Sequence, residues 1–352
     1  MDWRSTMRFS DLPNPKVAAE AVRDFQRRYS TKVCLAPDIK QCTNKIVSAH
    51  TLSARGMLRP IARDGHVYTY HTDLFATDRE KATTFRLTGI ADTSVFNGFC
   101  SYHDAKIFSP IESLPFLCRT DQLFLHAFRA VAKESYLKRK QAESTPTEAL
   151  IKNIHGIPGH VNLGLDELFI LQKAASLTGA EEIERLKARL DSYYLTQDWR
   201  RLVTTVIPFS IVPKIVCNFV YAPDFDFVGD YLQDFEDFSK DLDHLMITVL
   251  PAAGGGYALL SHLDDCGLAP RRLISSLLAR PNVTTALVWL IIGQAENIAI
   301  SPDWFETLSE VERQLILQHF VCNADWYDER HNTLVECPDY IDSWENATPF
   351  TI

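Results

Sequence analysis

Cys34-Leu-Ala-Pro-Asp-Ile-Lys-Gln-Cys42, then Ser48-Ala-His50-Thr-Leu-Ser53, then Gly98-Phe-Cys100-Ser-Tyr-His103-Asp104 are the stretches on which the N-terminal third turns. Seven residues, Pro37 among them, separate Cys34 from Cys42. Cys100 and His103 are spaced as a knuckle, in which two ligands converge from one tight turn onto one ion. Zinc prefers four nitrogen or sulfur ligands in a tetrahedron, and three cysteines with one histidine is a standard structural set. Two such pairs flanking a long intervening segment are what a split site requires. The sequence therefore predicts one Zn²⁺ held by Cys34, Cys42, Cys100 and His103.

The rest of the chain sets the context for those thiols. Its 352 residues are 46% hydrophobic and 23% charged, a globular composition with length for about two domains. The longest apolar run, residues 286–292, is far too short to span a bilayer, so no membrane contact is expected. Met1-Asp-Trp-Arg-Ser lacks the apolar core of a signal peptide. A cytoplasmic chain is the expectation, and there the eight cysteines stay reduced. Clustered cysteines then point to metal. Cys217, Cys266, Cys322 and Cys337, which share no useful spacing, point to plain burial.

Charge is unevenly distributed. Residues 1–140 carry 22 Lys and Arg against 14 Asp and Glu, a net +8, whereas residues 141–352 carry 14 against 31, a net −17. An acidic whole chain would argue against nucleic acid as a partner, but a basic N-terminal part does not. The acidic part suits a protein partner or a second copy of the chain.

Periodicity supplies the elements. Residues 17–29 have the amphipathic spacing of a helix, with Pro13 and Pro15 before it. Residues 66–70 are β-prone. Residues 121–141 form a long helix that starts apolar and ends in Lys138-Arg139-Lys140, as suits a helix C-terminus. Residues 143–147 make the linker, and residues 165–195 a helix with a break near Thr178-Gly179. Residues 203–209, 215–221 and 245–250 are β-branched and apolar, so they are predicted as buried strands. Gly254-Gly255-Gly256 turns the last of these into residues 257–260. Helices are expected over 271–279, 285–294 and 304–321. The fold class is α+β, with a zinc-binding domain over residues 1–142 and a larger α+β domain over 148–352.

The pattern Cys…Cys…Ser-Ala-His-Thr-Leu-Ser, a long insertion, and Gly-Phe-Cys-x-x-His-Asp-x-x-x-Phe-x-x-x-Glu resembles a divergent HNH-type treble-clef domain over roughly residues 30–115. In that group a cysteine knuckle precedes a strand ending in the catalytic histidine, and a second knuckle opens a helix. The resemblance implies a metal-dependent endonuclease that cleaves DNA or RNA, as in defence against foreign nucleic acid. His50 is its general base, since an imidazole near neutrality suits proton abstraction from water. A catalytic Mg²⁺ or Mn²⁺ would sit on Asp104 and Glu112, with Asn97 orienting the base. The chain departs from the pattern at Ala49, where many HNH enzymes carry an acidic residue. No histidine follows His103 in the helix. If His103 holds the catalytic ion instead, Cys118 or His50 must complete the zinc set. A zinc-stabilised module that binds a partner without catalysis is the alternative reading.

Four further features bear on function. Arg55, Arg59 and Arg63 recur every four residues, which on an α-helix would form one face able to track a phosphate backbone. His66 and His71 flank a short strand and could supply a missing ligand. His155 and His160 lie in a Gly/Pro-rich connection. The aspartates between Asp224 and Asp243 alternate with aromatic residues that dock the segment on the core.

Overall fold

The computed structural model describes residues 32–72, 83–144, 163–235, 240–324, 332–335 and 348–352, with a few single positions besides. Of the expected helix over 17–29 only Arg23 and Arg27 are described, both helical; residues 145–147 of the linker, His155, His160 and Cys337 lie outside the described residues. The chain is mixed helix and sheet, as an α+β protein should be. In order, β1 is Ile46–His50, β2 His66–Thr72, β3 Thr83–Gly89 and β4 Val95–Cys100. Three helices follow, α1 Ser101–Glu112, α2 Thr120–Ser144 and α3 Leu163–Thr196. Then come β5 Leu202–Phe209, β6 Ile215–Tyr221, β7 Leu245–Ala252 and β8 Gly255–Leu263. The remainder is α4 Ala269–Leu278, α5 Val283–Gln294, β9 Ile298–Ile300, α6 Pro302–Phe305, α7 Glu310–Ala324 and β10 Phe350–Thr351.

Eight strands form one sheet in the order β10-β5-β8-β7-β6-β9-β2-β3, every pair antiparallel. The central strands are apolar on both faces because both faces are covered. Cys217, Phe219, Ile247, Val249 and Leu260 point to one side, where α4 and α5 pack through Leu273, Leu277, Leu287 and Ile291. Helix α5 is buried all round, which explains its unbroken apolar sequence. Val206, Val216, Leu250 and Leu259 point to the other side, onto Leu52, Leu58, Val67 and Leu123. Leu202, Met246 and Leu263 extend that side onto Phe124, Phe128, Leu186 and Leu190 of α2 and α3. Helix α2 thus lies between the sheet and the small β1–β4 pair.

The β7–β8 hairpin turns at Ala253-Gly254, with Ala252 opposite Gly255. A Cβ on Gly255 would fall 2.0 Å from the Phe209 carbonyl oxygen, so no larger residue fits where the β5–β6 connection crosses this tip. Two expectations need revision. The single helix over 304–321 is two, because Ser309 and Glu312 form a capping box that starts α7 afresh. The Glu312 carboxylate accepts from the Ser309 amide at 2.6 Å, and the Glu312 amide donates to Ser309 Oγ at 3.3 Å. The helix over 165–195 runs unbroken through Gly179, from Leu163 to Thr196.

The division at 142/148 crosses a shared framework. Strands β2 and β3 come from the N-terminal part but join the large sheet where Tyr68 pairs with Ile300. Tyr68, Tyr70 and Phe85 pack against the core built by the second half, and the Tyr70 hydroxyl donates to the Ile292 carbonyl at 3.0 Å.

Candidate metal centre

β1 and β4 pair antiparallel, with Ile46 opposite Cys100 and His50 opposite Val95. Between Val47↔Phe99 and Ala49↔Phe96 lies a bulge, in which Asn97 and Gly98 together oppose Ser48. Its consequence is local and specific. The Asn97 and Gly98 carbonyls accept from the Val33 amide (3.1 Å) and the Leu35 amide (2.8 Å), which brings Cys34 beside Cys100. A larger residue at Gly98 would have to displace the Phe96 ring, since a Cβ would fall 2.2 Å from it. Cys100 is the N-cap of α1, and His103 lies in the first turn. Cys42 arrives on a tight turn closed by its amide on the Ile39 carbonyl at 3.0 Å.

Four ligand atoms from Cys34, Cys42, Cys100 and His103 lie within 4.8 Å of one another. His103 Nδ1 is 3.4 Å from Cys34 Sγ and 3.3 Å from Cys100 Sγ. In a zinc tetrahedron neighbouring ligand atoms stand about 3.5–3.8 Å apart, so the residues fit the ion in number, chemistry and spacing. His103 is 4% exposed and Cys100 fully buried. Burial raises the Cys100 thiol, but amides of His103 and Thr43 outweigh it and leave the group lowered to about 6. At Cys34 burial prevails and pushes the thiol up to about 11. The group can therefore hold a metal ion, with structural zinc the match to its donors. His103 belongs with the cysteines. Cys118 packs elsewhere, against the cluster containing Leu58 and Leu123, and His50 is not in the group.

The second half braces this centre. Lys187 of α3, 6% exposed, donates from Nζ to the Leu35 carbonyl at 2.9 Å and pairs with Asp191. Its ammonium lies 4.8 Å from the centroid of the Phe128 ring.

His50 ends β1 half-buried, and its Nε2 meets the Ile90 carbonyl at 3.2 Å. A carbonyl only accepts, so Nε2 is the donor of this pair. The group orienting the ring is therefore Ile90. Asn97 instead accepts from Ser48 Oγ at 3.4 Å. Asp104 follows His103 on α1. Burial raises its carboxyl, the Arg129 charge opposes that and Glu112 adds to it. Asp104 Oδ1 is buried without a hydrogen-bond partner. Glu112 is differently placed. Its Oε1 accepts from Arg129 Nη2 at 2.6 Å.

Ala49 is 2% exposed and sits in the core with Phe96 and Phe99, since alternate strand residues face opposite ways. The arginine stripe does not form as expected. Ala54–Leu58 is a π-helical turn and Arg59–Ile61 a 3₁₀ turn, so four-residue spacing does not give one face. Arg55 and Arg59 are exposed, and Arg63 pairs with Glu306 (2.5 Å) and Asp303 (3.4 Å). His66 and His71 are exposed on β2, outside the Cys–His group. In the acidic segment, Asp226 Oδ1 accepts from the amides of Val228, Gly229 and Asp230, and Phe227 is buried. Arg272 pairs with Asp230 and Arg185 with Asp241, so these carboxylates meet cations of their own half.

Arg129 is the site residue that sequence reasoning missed. It lies in the apolar-first stretch of α2, yet Gln122, His126, Arg129, Lys133, Tyr136 and Lys140 recur at three- and four-residue steps, a polar stripe within a buried helix. No family model, curated protein or solved structure matches the chain. Among the described residues, no helix is long and apolar enough to cross a membrane.

Proposed function

We propose that the chain is a metal-dependent HNH-like endonuclease, built on a treble clef in which zinc is structural. The observation that carries this reading is the Cys₃His group that clamps the strand pair, in which β1 ends at His50, to the helix on which Asp104 follows His103. The order of parts supports it too, with a cysteine turn, two antiparallel strands and a helix whose N-cap is Cys100 and whose first turn carries His103. His50 acts as the general base through Nδ1, its ring fixed by Nε2–H on the Ile90 carbonyl. It takes the proton of the water that attacks the phosphodiester. Asp104 would hold a Mg²⁺ or Mn²⁺ ion, whose charge, when bound, stabilises the phosphorane-like oxygens and the leaving oxygen. One carboxylate suffices because magnesium keeps several waters and shares substrate phosphates. The substrate is DNA or RNA, met on the basic N-terminal part.

The second reading is a zinc-stabilised binding module. It is favoured by one observation: among the described residues, no group of three His, Cys, Asp or Glu gathers at His50. Incubation with plasmid and with RNA in Mg²⁺ or Mn²⁺, beside His50→Ala and Asp104→Asn, separates the two. Cleavage that both substitutions abolish, with zinc retained, is the expected result. No cleavage in either metal by zinc-loaded protein would leave the binding module.

A further inference from the structure

Three of the four ligand atoms at the metal centre are sulfurs, and their settings differ. Cys34 and Cys42 are half-buried, whereas Cys100 is fully buried. Cys34 and Cys100 belong to one frame. The Val33 and Leu35 amides tie the chain on either side of Cys34 to the Asn97 and Gly98 carbonyls of β4, and Cys34 Sγ accepts from the Cys100 amide at 3.4 Å. Lys187 holds the same segment through the Leu35 carbonyl. Cys42 is held more loosely. It sits on a turn flanked by exposed residues, from Asp38 to Gln41 and from Thr43 to Lys45, and its Sγ reaches Asn44 Oδ1 at 3.7 Å. The sulfurs of all three lie within 4.8 Å of one another.

We propose that Cys34 and Cys100 are a peroxide-responsive pair: hydrogen peroxide converts them to a disulfide, Zn²⁺ leaves, and the Cys42 turn is released while the β1–β4 pair stays folded. The inference rests on zinc at the Cys₃His group and is independent of the nuclease reading. A thiolate is both the metal ligand and the nucleophile, and zinc itself has no redox chemistry, so the electrons come from sulfur. Cys34 is not sealed from solvent, and its sulfur attacks one peroxide oxygen. The O–O bond breaks, Cys34 becomes a sulfenic acid, and the departing hydroxide takes a proton from solvent to become water. The Cys100 sulfur then attacks the Cys34 sulfur, the S–S bond forms, and a second hydroxide leaves and is protonated. Two thiolates have given up two electrons and the peroxide has accepted them. The ion departs as Zn²⁺ because two of its four ligands are spent. The sulfurs must close to about 2 Å, a movement within reach of side-chain rotation. The new bond joins segments that backbone hydrogen bonds already join, so the strand pair need not rearrange, whereas Cys42 loses the ion that anchored its turn.

The zinc-loaded full chain, treated with hydrogen peroxide beside a chromogenic zinc indicator, tests this. The remaining thiols are then alkylated and the digested chain is mapped by mass spectrometry. One Zn²⁺ should be released per disulfide, the crosslinked peptide should join Cys34 to Cys100, and Cys42 should be found alkylated. The oxidised chain should keep a cooperative thermal transition, and dithiothreitol with added zinc should restore the starting state. Cys42→Ser keeps both reacting sulfurs, so it should form the same crosslink even where its zinc affinity is lost. A disulfide that includes Cys42 overturns the proposal. So does zinc expelled with sulfinic or sulfonic acids in place of a disulfide, or zinc retained with the thiols still reduced. A purified chain that holds no zinc overturns it as well. None of these readouts involves nucleic acid, so failure here and failure of the cleavage assay are separate results.

Discussion

Lys187→Met is the substitution that best reads how the second half braces the metal centre. Lys187 is 6% exposed on α3, and its ammonium donates to the Leu35 carbonyl, next to Cys34, at 2.9 Å. Methionine keeps most of the stem that packs on Phe128 and removes the charge. A hydrogen bond from a charged donor contributes about 2 kcal/mol, and here its loss leaves a carbonyl beside Cys34 unpaired. Each 1.4 kcal/mol is tenfold, so opening of the Cys34 segment should become about 30-fold more favourable. Zinc transfer to a chelator in excess, at concentrations where the rate no longer depends on chelator, reads that opening. The variant should release zinc about 30-fold faster. Removing Asp191 as well, in Lys187→Met/Asp191→Leu, should recover stability, because the first change strands a half-buried carboxylate. Zinc release within twofold of the wild type, with the urea midpoint lowered, would refute the coupling and leave Lys187 as a packing residue.

The remaining expectations concern pH and the neighbour of His50. His319 is buried against Trp289, with rings stacked at 3.6 Å, Nε2–H donating to the Trp289 carbonyl and Nδ1 accepting from the Asn323 amide. Burial lowers it to about 4. The unfolded chain therefore binds a proton near pH 6.5 that the folded chain refuses, and stability is lost as pH falls from there toward 4. Between pH 7 and pH 5 the wild type should lose about 2 kcal/mol relative to His319→Gln, read from urea midpoints, and a constant difference would contradict the assignment. Ala49→Asp, which restores the acidic residue of the HNH pattern, should unfold the chain rather than aid catalysis, because position 49 faces Phe96 and Phe99. Soluble, zinc-loaded Ala49→Asp with a wild-type melting transition would show that the strand can turn that face outward.

The four ligands were legible because each pair is local. Two cysteines on one loop and a Cys-x-x-His at a helix start advertise themselves in sequence. The strands Leu202–Phe209, Ile215–Tyr221 and Leu245–Ala252 were legible for a similar reason, since burial on both faces leaves an unbroken apolar run. What escaped depends on distant partners. Nothing near Tyr68 announces Ile300, so the entry of β2 and β3 into the large sheet is invisible locally, and with it the shared framework across residues 142–148. The arginines at 55, 59 and 63 have helical spacing, but a π turn and a 3₁₀ turn answer to the packing of Met57, Leu58 and Ile61 instead. The surroundings of Asp104 and Glu112 could not be told apart because Arg129, which hydrogen-bonds Glu112 and not Asp104, comes from another helix. Ser309-x-x-Glu312 carries its capping signal in the sequence itself.

Zinc stoichiometry tests the central claim most directly. Elemental analysis and native mass spectrometry of the purified chain should find one zinc per molecule. Cys100→Ser and His103→Ala should abolish or sharply reduce it, and Cys118→Ser should leave it unchanged. A chain that folds with no stoichiometric metal, or that keeps its zinc in Cys100→Ser, would contradict the account.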